Sequence, residues 1–129
     1  MSLITIFEDD YLICVHKPNN ILVHHAHHSR NISNETSLLQ LIFKEKGLKV
    51  YPIHRLDRKT SGIILLAKET KYVSKFQDLF KKHEIQKTYF GVVRGFSPEI
   101  KIIDSPVKGR DASVHKAAET HLKTISQIT

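Results

Sequence analysis

The sequence predicts an α+β fold, a mixed and mainly antiparallel sheet with flanking helices. Three observations lead there. Two short β-rich runs, Ile4 to Phe7 and Tyr11 to His16, surround the acidic turn Glu8-Asp9-Asp10 and read as a hairpin. Two longer stretches carry apolar residues at helical spacing. Between those stretches lies Ile63 to Ala67, an apolar run of strand length flanked by Gly62 and Lys68. Strands and helices therefore interleave, while the early hairpin argues against a purely parallel sheet.

Each element follows from local chemistry. Pro18-Asn19-Asn20 is a turn, because proline presets φ and asparagine tolerates left-handed geometry. "NETSLLQLIFKEKG" reads as a helix, with Leu38, Leu39, Ile42 and Phe43 on one face and Gly47 as its stop. Ile63 to Ala67 reads as a strand buried on both faces. "KETKYVSKFQDLFKKHEI" is a second helix with the apolar stripe Val73, Phe76 and Phe80 and a lysine-rich outer face. "QKTYFGVVRG" is expected as a strand ending at Gly95, and "EIKIID" as a short extended piece. Val107 to Lys116 looks like a mobile basic loop, and "AAETHLKTISQIT" alternates enough for a last strand.

The 129 residues suit one small domain, and 40% hydrophobic residues is ordinary for a globular chain. There is no apolar stretch of about 18 residues, so no membrane span is expected. The N-terminus carries acidic residues early and no cleavage pattern, which argues against a signal peptide. The single cysteine, Cys14, excludes an intramolecular disulfide and fits a reducing cytoplasm; in its apolar alternation it reads as buried filler. Twenty Lys and Arg against 13 Asp and Glu give a net charge of +7. That excess points to a polyanionic partner, nucleic acid ahead of an anionic membrane surface.

The densest chemistry lies in "HRLDRKTSG", His54 to Gly62. One carboxylate, Asp57, stands among Arg55, Arg58 and Lys59 at the mouth of the apolar run. Neighbouring cations favour the charged form of an aspartate, which can then be a nucleophile, a general base or half of an ion pair. From the residues alone, a solvated turn whose aspartate caps a local N–H is the plainer reading.

The same stretch resembles the His-Arg-Leu-Asp-x-x-Thr-Ser-Gly signature of the RluA-type pseudouridine synthases. "HKPNNILVH" is similar to that family's Lys-Pro-x-Gly-x-x-Val-His motif, and "QKTYFGVVRG" to its Lys-x-Tyr-x-x-x-Val-x-Gly strand. The resemblance implies the pseudouridine synthase fold and isomerisation of a uridine in structured RNA, the base being detached at N1 and reattached through C5. It implies Asp57 as catalytic nucleophile, attacking either the ribose C1′ or the uracil ring. Tyr89 would lie against the flipped base and assist proton transfer at C5. Arg55 would help hold the vacated space, and His54, Arg58, Lys17 and Lys87 would meet RNA. Leu56 would pack beneath the loop.

"KIIDSPV" and the position of the first strand are most similar to family members without an N-terminal S4 domain that act on tRNA, so tRNA is favoured over ribosomal RNA. Cofactors and metals are not implied. Asn20 replaces the usual glycine, and asparagine also accepts positive φ. The family's later Gly-Arg-x-His-Gln-Ile-Arg motif has no counterpart in residues 1–129, so the resemblance is to the N-terminal part of a catalytic domain. Sheet edges left unpaired in such a piece would favour self-association, and a catalytically incompetent RNA-binding fragment is the alternative function.

Other basic and histidine-rich features read more plainly. His24, His25, His27 and His28 match no zinc spacing, and His24 fits the Val-His of the motif. Lys71, Lys75, Lys81 and Lys82 form a solvated helix face; Lys108, Arg110 and Lys116 are better placed to be ordered by RNA.

Overall fold

The computed structural model describes residues 2–25, 35–108 and 114–128. The chain divides into two compact units, Met1–Lys87 and Thr88–Thr129.

In the first unit, β1 (Thr5–Glu8) and β2 (Leu12–Lys17) form the expected hairpin. Asp9 closes it: its Oδ1 accepts the Tyr11 and Leu12 N–H groups, each at 2.8 Å. The sheet continues with β3 (Tyr51–Pro52) and β4 (Gly62–Ala67) in the order β1-β2-β4-β3, every pair antiparallel. β2 and β4 pair along their whole length, from Leu12 opposite Ala67 to Lys17 opposite Gly62.

Alternation decides what is buried. Ile13, Val15, Ile64 and Leu66 share a fully buried cluster with Leu38 and Ile42 of α1 (Leu38–Lys46), closed by Val23 and Val50. Burying each of these aliphatic side chains stabilises by about 1.5–3 kcal/mol. β4 is not buried on both faces as expected: Ile63 is 59% exposed. In an antiparallel sheet one face can meet water, so a continuous apolar run need not be covered on both sides.

α1 begins with a capping box. Ser37 Oγ accepts the Gln40 N–H, and Gln40 Oε1 accepts the Ser37 N–H at 2.8 Å. It ends at Gly47, φ 66°, as expected, with the Gly47 N–H donating to the Phe43 carbonyl at 2.9 Å. Phe43 itself leaves the predicted face and is 61% exposed. It lies five positions beyond Leu38, about 140° round the helix and off the buried stripe. α2 (Thr70–Lys81) packs on β3 and β4 with Val73, Phe76 and Phe80 half-buried. On its outer side Lys71 pairs with Glu69 at 2.8 Å and Lys81 with Asp78 at 3.0 Å.

The second unit is a β-ribbon. β5 (Ile100–Asp104) pairs antiparallel with β8 (Glu119–Lys123), which fits the extended "EIKIID" and the last strand. Thr124 closes its base: the N–H donates to the Glu99 carbonyl and Oγ1 to the Pro98 carbonyl, each at 2.8 Å. The basic segment expected as a loop contains a short ladder instead, β6 (Val107–Lys108) against β7 (His115–Lys116). Arg110 lies outside the described residues. The expected strand in "QKTYFGVVRG" is absent: residues 88–93 are exposed and join no ladder. Their β-favouring composition has no partner strand among the described residues, and β-propensity is largely a preference for such pairing.

Candidate active site

The loop bearing Asp57 is shaped by its two ends. β3 stops at Pro52, which has no N–H and sits on an edge strand, where proline is tolerated. β4 starts at Gly62 with φ +133°, a conformation that favours glycine. Between them Leu56 is buried, as expected of a residue packed beneath the loop. Asp57 then opens a turn in which its carbonyl accepts the Thr60 N–H at 3.0 Å. Its side chain and that of Arg55 are exposed.

Lys17 holds the loop from below. Expected as an RNA contact, it is instead fully buried, with 0% exposure. Its ammonium donates to the carbonyls of Pro18 at 2.9 Å, Ile21 at 2.8 Å and Arg58 at 3.1 Å. A lysine has three donors, and three carbonyls take them. The Pro18–Ile21 turn is thereby tied to the residue following Asp57. Asn20 in that turn adopts φ 60°, as its tolerance of positive φ predicted. Burial pushes the Lys17 pKa below that of an ordinary lysine, and the Asp57 carboxylate partly offsets this.

The Asp57 carboxylate thus acts electrostatically on the buried Lys17. Arg58 turns away to pair with Glu35 at 2.7 Å. Among the described residues no cation lies within ion-pair distance of the Asp57 carboxylate. The expected hold of the flanking arginines on this anion is not seen as an ion pair among the described residues, and Arg58 is taken by Glu35.

His54 is half-buried and engaged by the fold. Its Nε2 accepts the Leu65 N–H at 3.0 Å. Its ring packs on Phe80 of α2, centroids 4.8 Å apart. Lys87 extends over the same phenyl ring, its Nζ 5.8 Å from the centroid. Burial, followed by the Lys87 charge, lowers the His54 pKa from its ordinary 6.5. The first unit therefore brings together Lys17, Asp57 and Arg58 at one place, and His54 and Lys87 about Phe80. Tyr89 belongs to the second unit and is 62% exposed. Glu35 and Phe80 were not foreseen as site neighbours. The helix stripe marked Phe80 as packing, but no sequence signal tied Glu35 to Arg58. Of the histidine run, His24 is exposed and His25 half-buried; His27 and His28 lie outside the described residues.

These residues lie within a stretch that matches a known family. Residues 11–129 match the family model described as RNA pseudouridylate synthase, and the chain belongs to that family. Among its curated relatives is the tRNA pseudouridine synthase C of Vibrio cholerae, 34% identical over 126 residues, covering 96% of this chain and 50% of the relative. The protein of the same name from Pasteurella multocida is 38% identical over 109 residues, covering 84% and 44%. The chain thus spans about half the length of the curated relatives it matches. The solved structure titled Human RNA Pseudouridylate Synthase Domain Containing 4 shares the fold, with a TM-score of 0.57, 17% identity and coverage of 96% of this chain and 48% of that one. Among the described residues no helix is long and apolar enough to cross a membrane.

Proposed function

We propose that this chain carries the nucleophile of an RNA pseudouridine synthase that isomerises a specific uridine, in tRNA rather than ribosomal RNA. The observation that carries the reading is the complete signature "HRLDRKTSG" seated on a turn tied down by Lys17. The names of the curated relatives support tRNA. In this reading Asp57 attacks the ribose C1′ or the uracil ring, the N1–C1′ bond breaks, and the base returns through C5. Tyr89 lies against the flipped base and assists removal of the C5 proton; Arg55 fills the space the base leaves. Arg58 and Lys87 contact phosphate, while Lys17 and His54 hold the loop from within. The chemistry needs no cofactor, and a cytoplasmic setting suits it.

Tritium release from tRNA labelled at uridine C5 tests this, with Asp57→Asn as control. Release by the parent chain and none by the variant is the expected result; equal release by both removes Asp57 from the chemistry. A second reading, RNA binding without turnover, is favoured by the missing cation beside Asp57 among the described residues. Binding of tRNA with no release from the parent chain would select it.

A further inference from the structure

We propose that His54 is a positioning residue: its neutral imidazole stands in for the backbone acceptor that β3 stops supplying, and so holds the chain that leads to Asp57. The geometry is specific. β3 pairs with β4 only at Tyr51 opposite Ala67 and Pro52 opposite Leu66. The next position along β4 is Leu65, whose N–H would meet a β3 carbonyl if the strand continued. It meets His54 Nε2 at 3.0 Å instead. The side chain thus extends the ladder while the backbone departs from it, which frees residues 55–57 to cross the end of the sheet. Phe80 backs the ring and fixes its plane.

An Nε2 that accepts a hydrogen bond carries no proton, so the ring is the neutral form with its proton on Nδ1. A second proton on Nε2 would turn the acceptor into a donor facing another donor. Burial and the Lys87 charge oppose that proton, and they outweigh a hydrogen bond with the Arg55 backbone that favours it. β4 offers the Leu65 amide, α2 the Phe80 ring, and the segment after α2 the Lys87 ammonium, the charge that acts on the imidazole. Burial and Lys87 lower its pKa, so the latch stays closed at neutral pH and opens as pH falls below 6.5 through the lowered value. Where the chain turns over RNA, the acid limb of the rate then belongs to His54.

The turnover part rests on the proposed reaction; the latch does not, and the test separates them. The 15N-labelled 129-residue chain is titrated from about pH 8 to about pH 5, following the His54 ring nitrogens and the amides of Leu65 and Asp57 to Thr60. Expected are the Nδ1–H tautomer at the upper end and one acid step in which Leu65 and the loop amides shift together. The Leu65 protection factor, with exchange corrected for its intrinsic rate at each pH, should fall about tenfold or more across that step. His54→Gln places a neutral acceptor near the same point and should remove the step with protection within about twofold of the parent. His54→Leu should leave the loop amides unprotected at every pH, and in the RNA assay lower kcat with KM little changed. Loop amides that ignore the Leu65 step, or a His54→Gln chain that keeps the step, would overturn the proposal, and the parent titration decides even if a variant fails to fold. A coupled amide step in a chain that releases no tritium would end the turnover reading and leave the latch standing.

Discussion

Asp57→Asn keeps the size of the side chain and the Thr60 N–H to Asp57 carbonyl bond, and removes only the anion. It should leave the unfolding free energy within about 0.5 kcal/mol of the parent, abolish tritium release and spare tRNA affinity, since surface changes away from packed features are small. Lys17→Met separates the opposite case. Methionine fills the buried channel but leaves the Pro18, Ile21 and Arg58 carbonyls without their donor. A loss of about 2–4 kcal/mol is expected, read as a midpoint drop of roughly 10–20 °C in calorimetry; an unchanged midpoint would mean the ammonium does not tie the two turns. What could be read beforehand divides along the same line. The motif residues and the Asn20 turn depend on local order along the chain and were legible. The burial of Lys17 and the pairing of Arg58 with Glu35 depend on which segments meet in space, and flanking sequence does not encode that.

Among the elements, β4 ties the site to the core. Its first residue, Gly62, holds φ +133°, and nothing lies within 4 Å of where a Cβ would stand. Gly62→Ala therefore tests conformation rather than crowding. It should cost about 1–3 kcal/mol by chemical denaturation and slow turnover more than it weakens RNA binding, because the strain falls next to the Asp57 turn. The β1–β2 hairpin meets α1 and the end of β4 through Glu8, whose carboxylate pairs with Lys68 at 2.9 Å and Lys46 at 3.3 Å. The Lys68 hydrogen bond leads in lowering its pKa below 4.5. A carboxylate with a depressed folded pKa stabilises fully above its unfolded value, and the stabilisation fades as pH falls through the folded one. Glu8→Gln should thus lose up to about 1 kcal/mol at neutral pH and converge with the parent in acid; parallel curves would show that Glu8 is not part of the acid response. The hairpin, α1, α2 and the span of β4 were legible from local apolar patterning, although β4 buries one face and not the two its continuous run suggested. β3 was not, being two residues long and containing a proline, and 88–93 was misread because composition alone suggested a strand.

For the whole chain, charge and apolar exposure make separate demands. A +7 chain that contacts several phosphates should lose orders of magnitude in tRNA affinity between about 50 and about 200 mM salt; a flat response in filter binding would show that the charge does not serve RNA. The ribbon unit exposes Ile100 and Ile102, and the segment before it Phe90, Val92 and Phe96. Such surfaces are usually covered, and self-association of this chain is the expected outcome. Light scattering should show mass rising with concentration; a monomer throughout the micromolar range would contradict it. Fold class followed from the interleaved strand and helix patterns, whereas the division at Lys87 left no mark in composition.

The strand order also sets a sequence of events in time. β2 must wait for β4, because Lys17 pairs with Gly62 and Leu12 with Ala67, closing a loop of about 50 residues before either strand is satisfied. Closure on that scale is an entropic barrier that helix α1 and the first hairpin, both local, do not face. The turn around Asp57 lies inside that loop, immediately before its closing strand. Its tie from below forms only as β4 docks on β2, because Lys17, which donates to the Arg58 carbonyl, is the β2 residue opposite Gly62.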